Sequence, residues 1–208
     1  MFKRGLISST ATAMIGLAAL VFTFVGCGNG GSASIGSQGG GEETNESAFT
    51  LKCEEVRFFT LINLYRQNAG FATLAISQGA TEAARWHARD MGESAYFSHT
   101  DSLGRDPSSR VADFGYSGTA GENAAAGNAT AIGTFCQWKN SAGHNANMLR
   151  PEFRVIGIGT ETVQSSQYGS YWSTPFGFSM VDDDGSPAVT SPRIENGTCQ
   201  LPTSVPSC

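Results

Sequence analysis

The hydrophobic periodicity changes once along this chain, near residue 150, and this change constrains the fold more than any other feature. Before it, apolar side chains recur at steps of three and four residues, which is typical of the buried face of an α-helix. After it, residues 155–160 and 170–178 are rich in β-branched, aromatic and glycine residues and predict strands. The glycines in these strands would allow close approach of a helix or a tight bend. Helices followed by strands predict an α+β fold, in which an antiparallel sheet packs against helices.

Two long helices are predicted at the start of the domain. Residues 50–68 carry apolar side chains at helical spacing and are followed by Gly70, a helix stop signal. Residues 77–91 form a second helix, whose stripe of small alanine side chains permits close packing. His87 lies on that stripe, so we expect it to be a buried, hydrogen-bonded histidine and not a ligand.

Shorter helices are predicted before the strands. Asp106 is followed by proline, so it is expected to cap one of them. Asn128 is expected to cap another, which breaks at residues 142–143. His144 then starts a last helical turn, for which Ser141 is the candidate cap.

The N-terminus predicts export from the cytoplasm. Lys3 and Arg4 precede an apolar stretch, residues 6–25, which is followed by Gly26 and Cys27. This is the form of a secretory signal with a bacterial lipobox, and cleavage would leave Cys27 as a lipidated first residue. The alternative is an uncleaved transmembrane anchor, because about twenty apolar residues suffice to cross a bilayer. Both alternatives place the domain outside the cytoplasm.

The predicted export signal divides the chain into four segments. Residues 1–26 are the predicted lipoprotein signal peptide, and residues 27–48, rich in Gly and Ser, a flexible tether. One domain is expected over residues 49–182 and a C-terminal tail over 183–208. The lipid on Cys27 would attach the protein to a membrane, facing the periplasm or the cell exterior.

The charge of the chain bears on its partners. The formal net charge is −5, and no run of Lys or Arg follows the first few residues, so nucleic acid is not an expected partner. We expect a monomer.

Four cysteines remain after Cys27, an even number that suits an oxidising compartment and allows three pairings. We expect Cys199 to pair with Cys208 in a short ring, and Cys53 with Cys136 between two helices, while the other pairings stay open. A zinc site is the rival interpretation of these cysteines, but the chain has no Cys-x-x-Cys pair to support it.

Three short polar segments contain the candidate chemistry. They read FSHT at residues 97–100, GEN at residues 121–123 and SAGHN at residues 141–145. Together they supply two of the three histidines, His99 and His144, and one carboxylate, Glu122. These side chains can act together only if the fold brings them into one cleft, where they would suit a divalent metal or acid/base chemistry.

The three segments, with NLYR at residues 63–66, AARWHARDM at 83–91 and IGIG at 156–159, resemble a CAP domain in order and spacing. This superfamily includes cysteine-rich secretory proteins, antigen 5 and pathogenesis-related plant proteins, and the chain is most similar to its secreted bacterial (SCP-like) branch. The resemblance covers about residues 53–180. It implies a three-layer α-β-α sandwich with a central antiparallel sheet and a cleft on one side.

In that family two His and two Glu line the cleft, and in several members the two His bind a divalent metal. The resemblance makes His99 and His144 candidate ligands for Zn²⁺ or another divalent cation, and it places Glu122 and Asn123 in the cleft. The position of the second Glu is occupied by Ser141. Because a second carboxylate would serve as general base or orienting group, its absence leaves catalysis less well supported than metal binding.

Alternatives stay open for these residues. His99, Glu122 and His144 are the candidate catalytic residues, but they also fit a structural hydrogen-bond network. The Ser141 hydroxyl is a conceivable nucleophile beside His144, although the spacing fits a helix cap better. The neighbouring charges Asp101, Arg105 and Arg110 are expected to lie on the surface or to brace loops.

Three functions follow from different classes of protein. The first is a lipid-anchored binding module for a lipid, peptide or cell-envelope ligand. The second is a metal-dependent hydrolase or peptidase, and the third is a structural or adhesive surface lipoprotein. The resemblance favours the binding module, and because fold does not determine activity, the other two remain open.

Overall fold

The structure is a computed structural model that describes residues 49–208, and within this range the chain forms helices and strands in an α+β arrangement. The helices are α1 (Cys53–Asn68), α2 (Gln78–Glu93), α3 (Pro107–Ala112), α4 (Ala131–Lys139) and α5 (Ala142–Leu149). The strands are β1 (Thr50–Leu51), β2 (Ala75–Ile76), β3 (Thr119–Ala126), β4 (Val155–Ile156), β5 (Gly159–Thr162), β6 (Ser170–Gly177) and β7 (Arg193–Ile194). The signal peptide, Cys27 and the tether lie outside the described residues.

The central sheet has the order β2-β4-β6-β3, and β5 also pairs with β6. Strands β4 and β5 are antiparallel to β6, as the sequence predicts. Strand β3, which the sequence did not predict, is also antiparallel to β6, but β2 and β4 run parallel. The expectation of a wholly antiparallel sheet is therefore wrong for this pair. A parallel pair needs a long crossover, and helices α2 to α5 supply one between β2 and β4.

Helices cover both faces of the sheet, which gives the α-β-α sandwich. Adjacent residues of β6 point to opposite faces, so Tyr171 packs with Met91 of α2 while Trp172 packs with Phe58 of α1. On the α1 side the rings of Phe58 and Trp138 meet edge to face at 5.2 Å. This aromatic contact fixes α4, and with it the start of α5, against the core.

Helix α2 lies very close to the sheet at two glycines. A Cβ atom at Gly157 would overlap the backbone of Ala80, and one at Gly159 would overlap the backbone of Ala84. The predicted role of the strand glycines in close helix approach is confirmed.

The cap residues of the helices agree only in part with those predicted from the sequence. Asp106 caps α3 as predicted, accepting a hydrogen bond from the Ser109 amide at 2.7 Å. The predicted cap of α4 is wrong, because the cap residue lies two positions after Asn128, at Thr130, which accepts from the Gly133 amide. Asn128 instead donates its side-chain amide to Gln137.

The expected disulfide pairing is wrong. The bonds join Cys53 to Cys199 and Cys136 to Cys208, with Cα separations of 5.5 and 5.2 Å. The physical reason is the path of the tail, which runs back over α1 and α4 and so separates Cys199 from Cys208. Arg57 of α1 donates to the Gln200 carbonyl, and Lys139 of α4 donates to the Pro206 carbonyl. All four cysteines of the described range are bridged, which leaves none of them for zinc.

Parallel pairing of β1 with β7 also brings the two ends of the domain together. Among residues 49–208, no helix combines the length and the apolar character that a membrane span requires.

Candidate functional site

Glu122 lies at the centre of the candidate site, on strand β3, with a side chain only 1% exposed. Its Oε1 is 2.7 Å from Nδ1 of His99, and its Oε2 accepts hydrogen bonds from the Arg110 guanidinium and, at 2.9 Å, from the Ser173 hydroxyl. Both carboxylate oxygens are therefore engaged by neighbouring side chains.

These partners keep Glu122 ionised. Burial raises the pKa of its carboxyl, but the hydrogen bond with His99 and the charge of Arg110 outweigh burial and hold the pKa below its ordinary value. A buried carboxylate of this kind is an anchor for other side chains and is poorly suited to accept a proton from a substrate near neutral pH.

Arg110 is a part of the site that sequence reasoning missed. Its side chain is fully buried, and Nη1 donates to the carbonyl oxygen of His99 at 3.1 Å. Asp101 is buried as well and pairs with Arg105. The sequence predicted that these charges lie on the surface or brace loops. The structure shows that they brace loops, and that Asp101 and Arg110 do not lie on the surface. Helix α3 has six residues, too few for an apolar stripe that would have marked Arg110 as buried.

His99 lies on the loop between α2 and α3, and 57% of its side chain is exposed. Because Nδ1 faces Glu122, Nε2 is the ring nitrogen available to a ligand from solvent. The hydrogen bond with Glu122 raises the pKa of His99 above its ordinary value, and partial burial opposes this rise without cancelling it.

His144 lies on α5 and is held by two neighbours. Its Nδ1 is 2.8 Å from the Ser141 hydroxyl, and its ring stacks on Trp138 with a centroid distance of 6.0 Å. Burial and the nearby charge of His99 lower the pKa of His144, so its neutral form is favoured. The pKa values of His99 and His144 are therefore shifted in opposite directions.

Ser141 differs from its predicted role. Helix α5 begins directly after it, as expected of a cap residue, but its side chain makes no capping hydrogen bond. The hydroxyl pairs with His144 instead. Ser141 thus fixes the orientation of an imidazole, and in that respect it occupies the place of an orienting carboxylate.

Asn123 braces the site from below. It is fully buried, donates to the carbonyl of His144 at 3.0 Å and accepts from Asn147 at 2.9 Å. It therefore holds α5 against β3, and its side chain lies beneath the cleft surface.

The prediction for His87 is confirmed: the side chain is buried and hydrogen-bonded. Its Nε2 is 3.0 Å from the Ser98 carbonyl oxygen and 4.0 Å from Oε1 of Glu122. Burial lowers the pKa of His87. This histidine supports the loop that carries His99.

The side chains around Glu122 can be compared with the needs of a divalent metal. Within residues 49–208, no group of three or more His, Cys, Asp or Glu side chains is arranged to hold an ion. His99 and His144 each present one ring nitrogen, while the oxygens of Glu122 are engaged elsewhere. A Zn²⁺ ion here would take two protein nitrogens and complete its tetrahedral shell with water or a bound ligand.

The chain combines an α-β-α sandwich with a buried Glu122 in contact with His99 and with His144 on α5. These features place it in the class of CAP domains. The chain belongs to the Cysteine-rich secretory protein (CAP) family, whose family model matches residues 59–176, more than half of the sequence.

Bacterial proteins of known sequence or structure are similar to this chain. The chain is 34% identical over 134 residues to YkwD of Bacillus subtilis (strain 168), which is 64% of this chain and 50% of that protein. An extracellular protein containing a SCP domain from Bacillus anthracis str. Ames superposes with a TM-score of 0.55 and 26% identity, over 61% of this chain and 40% of that one. The chain thus spans half or less of the length of these two proteins.

An outer surface protein from Borrelia burgdorferi has the same fold, with a TM-score of 0.51 and 20% identity. That match covers 57% of this chain and 87% of the other.

Proposed function

We propose that the protein is an extracytoplasmic, lipid-anchored binding module, whose cleft beside His99 and His144 takes up a lipid, peptide or cell-envelope ligand. The observation that carries this proposal is the saturation of Glu122. Its oxygens are held by Arg110, Ser173 and His99, so the cleft has no free carboxylate base among these residues. A polar surface that carries the exposed imidazole of His99 and the oriented imidazole of His144 is suited to recognition.

Three observations support a location outside the cytoplasm. The sequence has the form of a lipoprotein signal ending at Cys27. The domain contains two disulfides, which persist in oxidising compartments. The Bacillus anthracis relative is an extracellular protein. Lipid on Cys27 would retain the domain at a membrane while the tether gives it reach.

A divalent cation would bind through His99 and His144. When bound, it would polarise an oxygen of the ligand as a Lewis acid. Glu122 and Ser141 would serve this ion indirectly, because each holds the Nδ1 atom of a ligating histidine.

The binding function is tested with a mature chain carrying Cys27→Ser, which releases the domain in soluble form. We expect it to be retained by purified cell-envelope material, and retention should fall in His99→Ala and His144→Ala. Exposed Arg89→Ala is the control. Retention that is absent, or equal in all variants, would contradict the proposal.

A metal-dependent hydrolase is the second candidate. It is favoured by the contact between Ser141 and His144, which orients the imidazole, and by the lowered pKa of that histidine, which favours the neutral form that a metal ion requires. Turnover of fluorogenic peptides or esters that survives chelators and both histidine substitutions would remove this candidate.

A further inference from the structure

Two exposed aromatic side chains lie together near the candidate cleft. Phe97 is 49% exposed and Tyr168 is 44% exposed, and their ring centroids are 6.4 Å apart at an interplanar angle of 65°. Tyr168 also packs edge to face on Tyr171, which is buried in the core cluster on the α2 side of the sheet. We call Phe97 and Tyr168 the aromatic platform. It is an exposed surface backed by the core.

The loop that carries Phe97 is held on both sides. The preceding Tyr96 donates a hydrogen bond to Asp90, and the carbonyl of the following Ser98 is bonded to the buried His87. Ala95 adopts a left-handed conformation with φ of 54°, which costs energy for a residue other than glycine. The fold therefore sustains a strained backbone path that presents Phe97 two residues before His99.

The loop that carries Tyr168 is ordered by its own hydrogen bonds. The Ser166 hydroxyl donates to the Val163 carbonyl at 2.6 Å and accepts from the Gly169 amide at 3.2 Å. Both rings thus belong to well-defined turns. A rigid aromatic surface loses little conformational entropy when a ligand binds.

The charge around the platform selects the class of ligand. No Lys or Arg occurs in residues 91–104 or 162–170, the two segments that carry the rings. An anionic headgroup or phosphate would find no lysine or arginine on these segments and would meet the exposed carboxylate of Glu93. They offer hydroxyls, with Ser98 and Thr100 exposed, and the imidazole of His99. This combination of aromatic faces, hydroxyls and an imidazole suits a ligand that is uncharged, ring-shaped and rich in hydroxyls.

We propose that Phe97 and Tyr168 form a binding platform for a neutral sugar ring of a cell-envelope glycan, with His99 as its polar neighbour. This inference rests on the proposed binding function and names its ligand class. The C–H face of a pyranose carries partial positive charge and stacks on the negative face of an aromatic ring. The sugar hydroxyls then exchange hydrogen bonds with the hydroxyls of Ser98 and Thr100 and with Nε2 of His99.

The test uses the mature chain carrying Cys27→Ser and the N-acetylglucosamine tetramer as the probe, followed by NMR or calorimetry. The wild-type surface is expected to bind the tetramer, and Phe97→Ala or Tyr168→Ala should each weaken binding about tenfold or more. Phe97→Tyr and Tyr168→Phe keep a ring at each position and should retain binding. Phe178→Ala, which truncates a similarly exposed ring elsewhere, is the matched control.

Several results would overturn the inference. Absence of tetramer binding would do so, as would equal binding in the wild type and in both alanine variants with native circular dichroism. Binding of phosphatidylglycerol vesicles that is lost in Phe97→Ala, without tetramer binding, would replace the glycan by a lipid surface. Failure here is distinguishable from failure of the proposed function. Envelope retention that depends on His99 and His144 but not on the platform leaves the binding module intact and removes only the glycan platform.

Discussion

The guanidinium of Arg110 and the carboxylate of Glu122 form an ion pair in which neither side chain is exposed to solvent by more than 1%. The pair joins helix α3 to strand β3. Because Arg110 also donates to the carbonyl of His99, the position of the cleft loop depends on it. One buried contact thus links the stability of the domain to the geometry of its candidate site.

Glu122→Gln is expected to lower the free energy of unfolding by about 3–5 kcal/mol, since it removes the carboxylate that pairs with the buried charge of Arg110. Urea denaturation measures this change. Glu93→Gln, at an exposed position of α2, should have little effect. The double variant Arg110→Met with Glu122→Leu should be less destabilised than Glu122→Gln alone. If the single variant is as stable as the wild type, the buried pair is not formed.

His99 should make stability depend on pH in a defined window. Its folded-state pKa is raised from 6.5, so its contribution is fully present below pH 6.5 and is lost as pH rises through the raised value. The difference in unfolding free energy between wild type and His99→Gln should therefore shrink from pH 6 to pH 9. We expect a small effect, because more than half of the side chain is exposed and solvent screens the pair.

Glu122 limits the range of that experiment. Its pKa is lowered, so its contribution is present above the ordinary value of 4.5 and is lost only as pH falls through the folded-state value. Measurements above pH 6 keep this carboxylate ionised in both proteins. A stability difference that grows as pH rises would contradict the assignment of the His99–Glu122 hydrogen bond.

Much of the fold was predictable because its signals are local. The periodicity of residues 50–68 and 77–91 predicts α1 and α2 to within three residues at each end. The glycines at 157 and 159 allow a helix to approach closely, and the structure shows that this helix is α2. The parallel pairing of β2 with β4 and the path of the tail were not predictable. Both depend on which distant segments meet, and two-residue strands carry no register signal.

The candidate site was also predictable from the sequence only in part. The ordered segments around His99, Glu122 and His144 point to one cleft, and the structure places the first two in contact. The roles of their neighbours were not readable from the sequence, since a hydroxyl three residues before His144 serves a cap and an imidazole equally well. Metal binding and ligand recognition by these residues stay predictions.

Ser141→Glu is expected to raise the pKa of His144 relative to the wild type. A carboxylate beside Nδ1 would stabilise the imidazolium, whereas the wild-type hydroxyl is neutral. Ser141→Gln has the same side-chain length without the charge and is the matched control. NMR titration of the His144 ring gives the pKa in each protein. Equal values in the Glu and Gln variants would show that residue 141 does not face this nitrogen.

Gly157→Ala should destabilise the domain by about 1–3 kcal/mol or more, because the added methyl overlaps the backbone of Ala80 and forces α2 away from the sheet. Gly143→Ala is the matched control. An added Cβ meets no atom within 4 Å there, and alanine is the better helix former, so this variant should be neutral or more stable. In thermal denaturation, Gly157→Ala should unfold below the wild type and Gly143→Ala at or above it. The reverse order would contradict the packing of α2 against the strands.

The disulfide pairing predicts a peptide map that differs from the map of the pairing expected from the sequence, and it predicts a ranking of stabilities. Trypsin cleaves after Lys52, Arg57, Lys139 and Arg193, so Cys199 and Cys208 fall in one peptide. Bridges from Cys53 to Cys199 and from Cys136 to Cys208 should join three peptides into one species under non-reducing conditions. A free peptide with an internal disulfide would restore the pairing expected from the sequence.

Removing either bridge by paired serine substitutions should cost about 2–5 kcal/mol of unfolding free energy. The Cys53–Cys199 bridge spans 146 residues and the Cys136–Cys208 bridge spans 72, about half as many. Loop-closure entropy makes the longer bridge more stabilising by about 0.6 kcal/mol. Urea denaturation of the two variants tests this order. A larger loss of unfolding free energy on removing the shorter bridge would contradict this order. It would mean that the attachment of the tail to α4 contributes more to stability than the difference in loop-closure entropy.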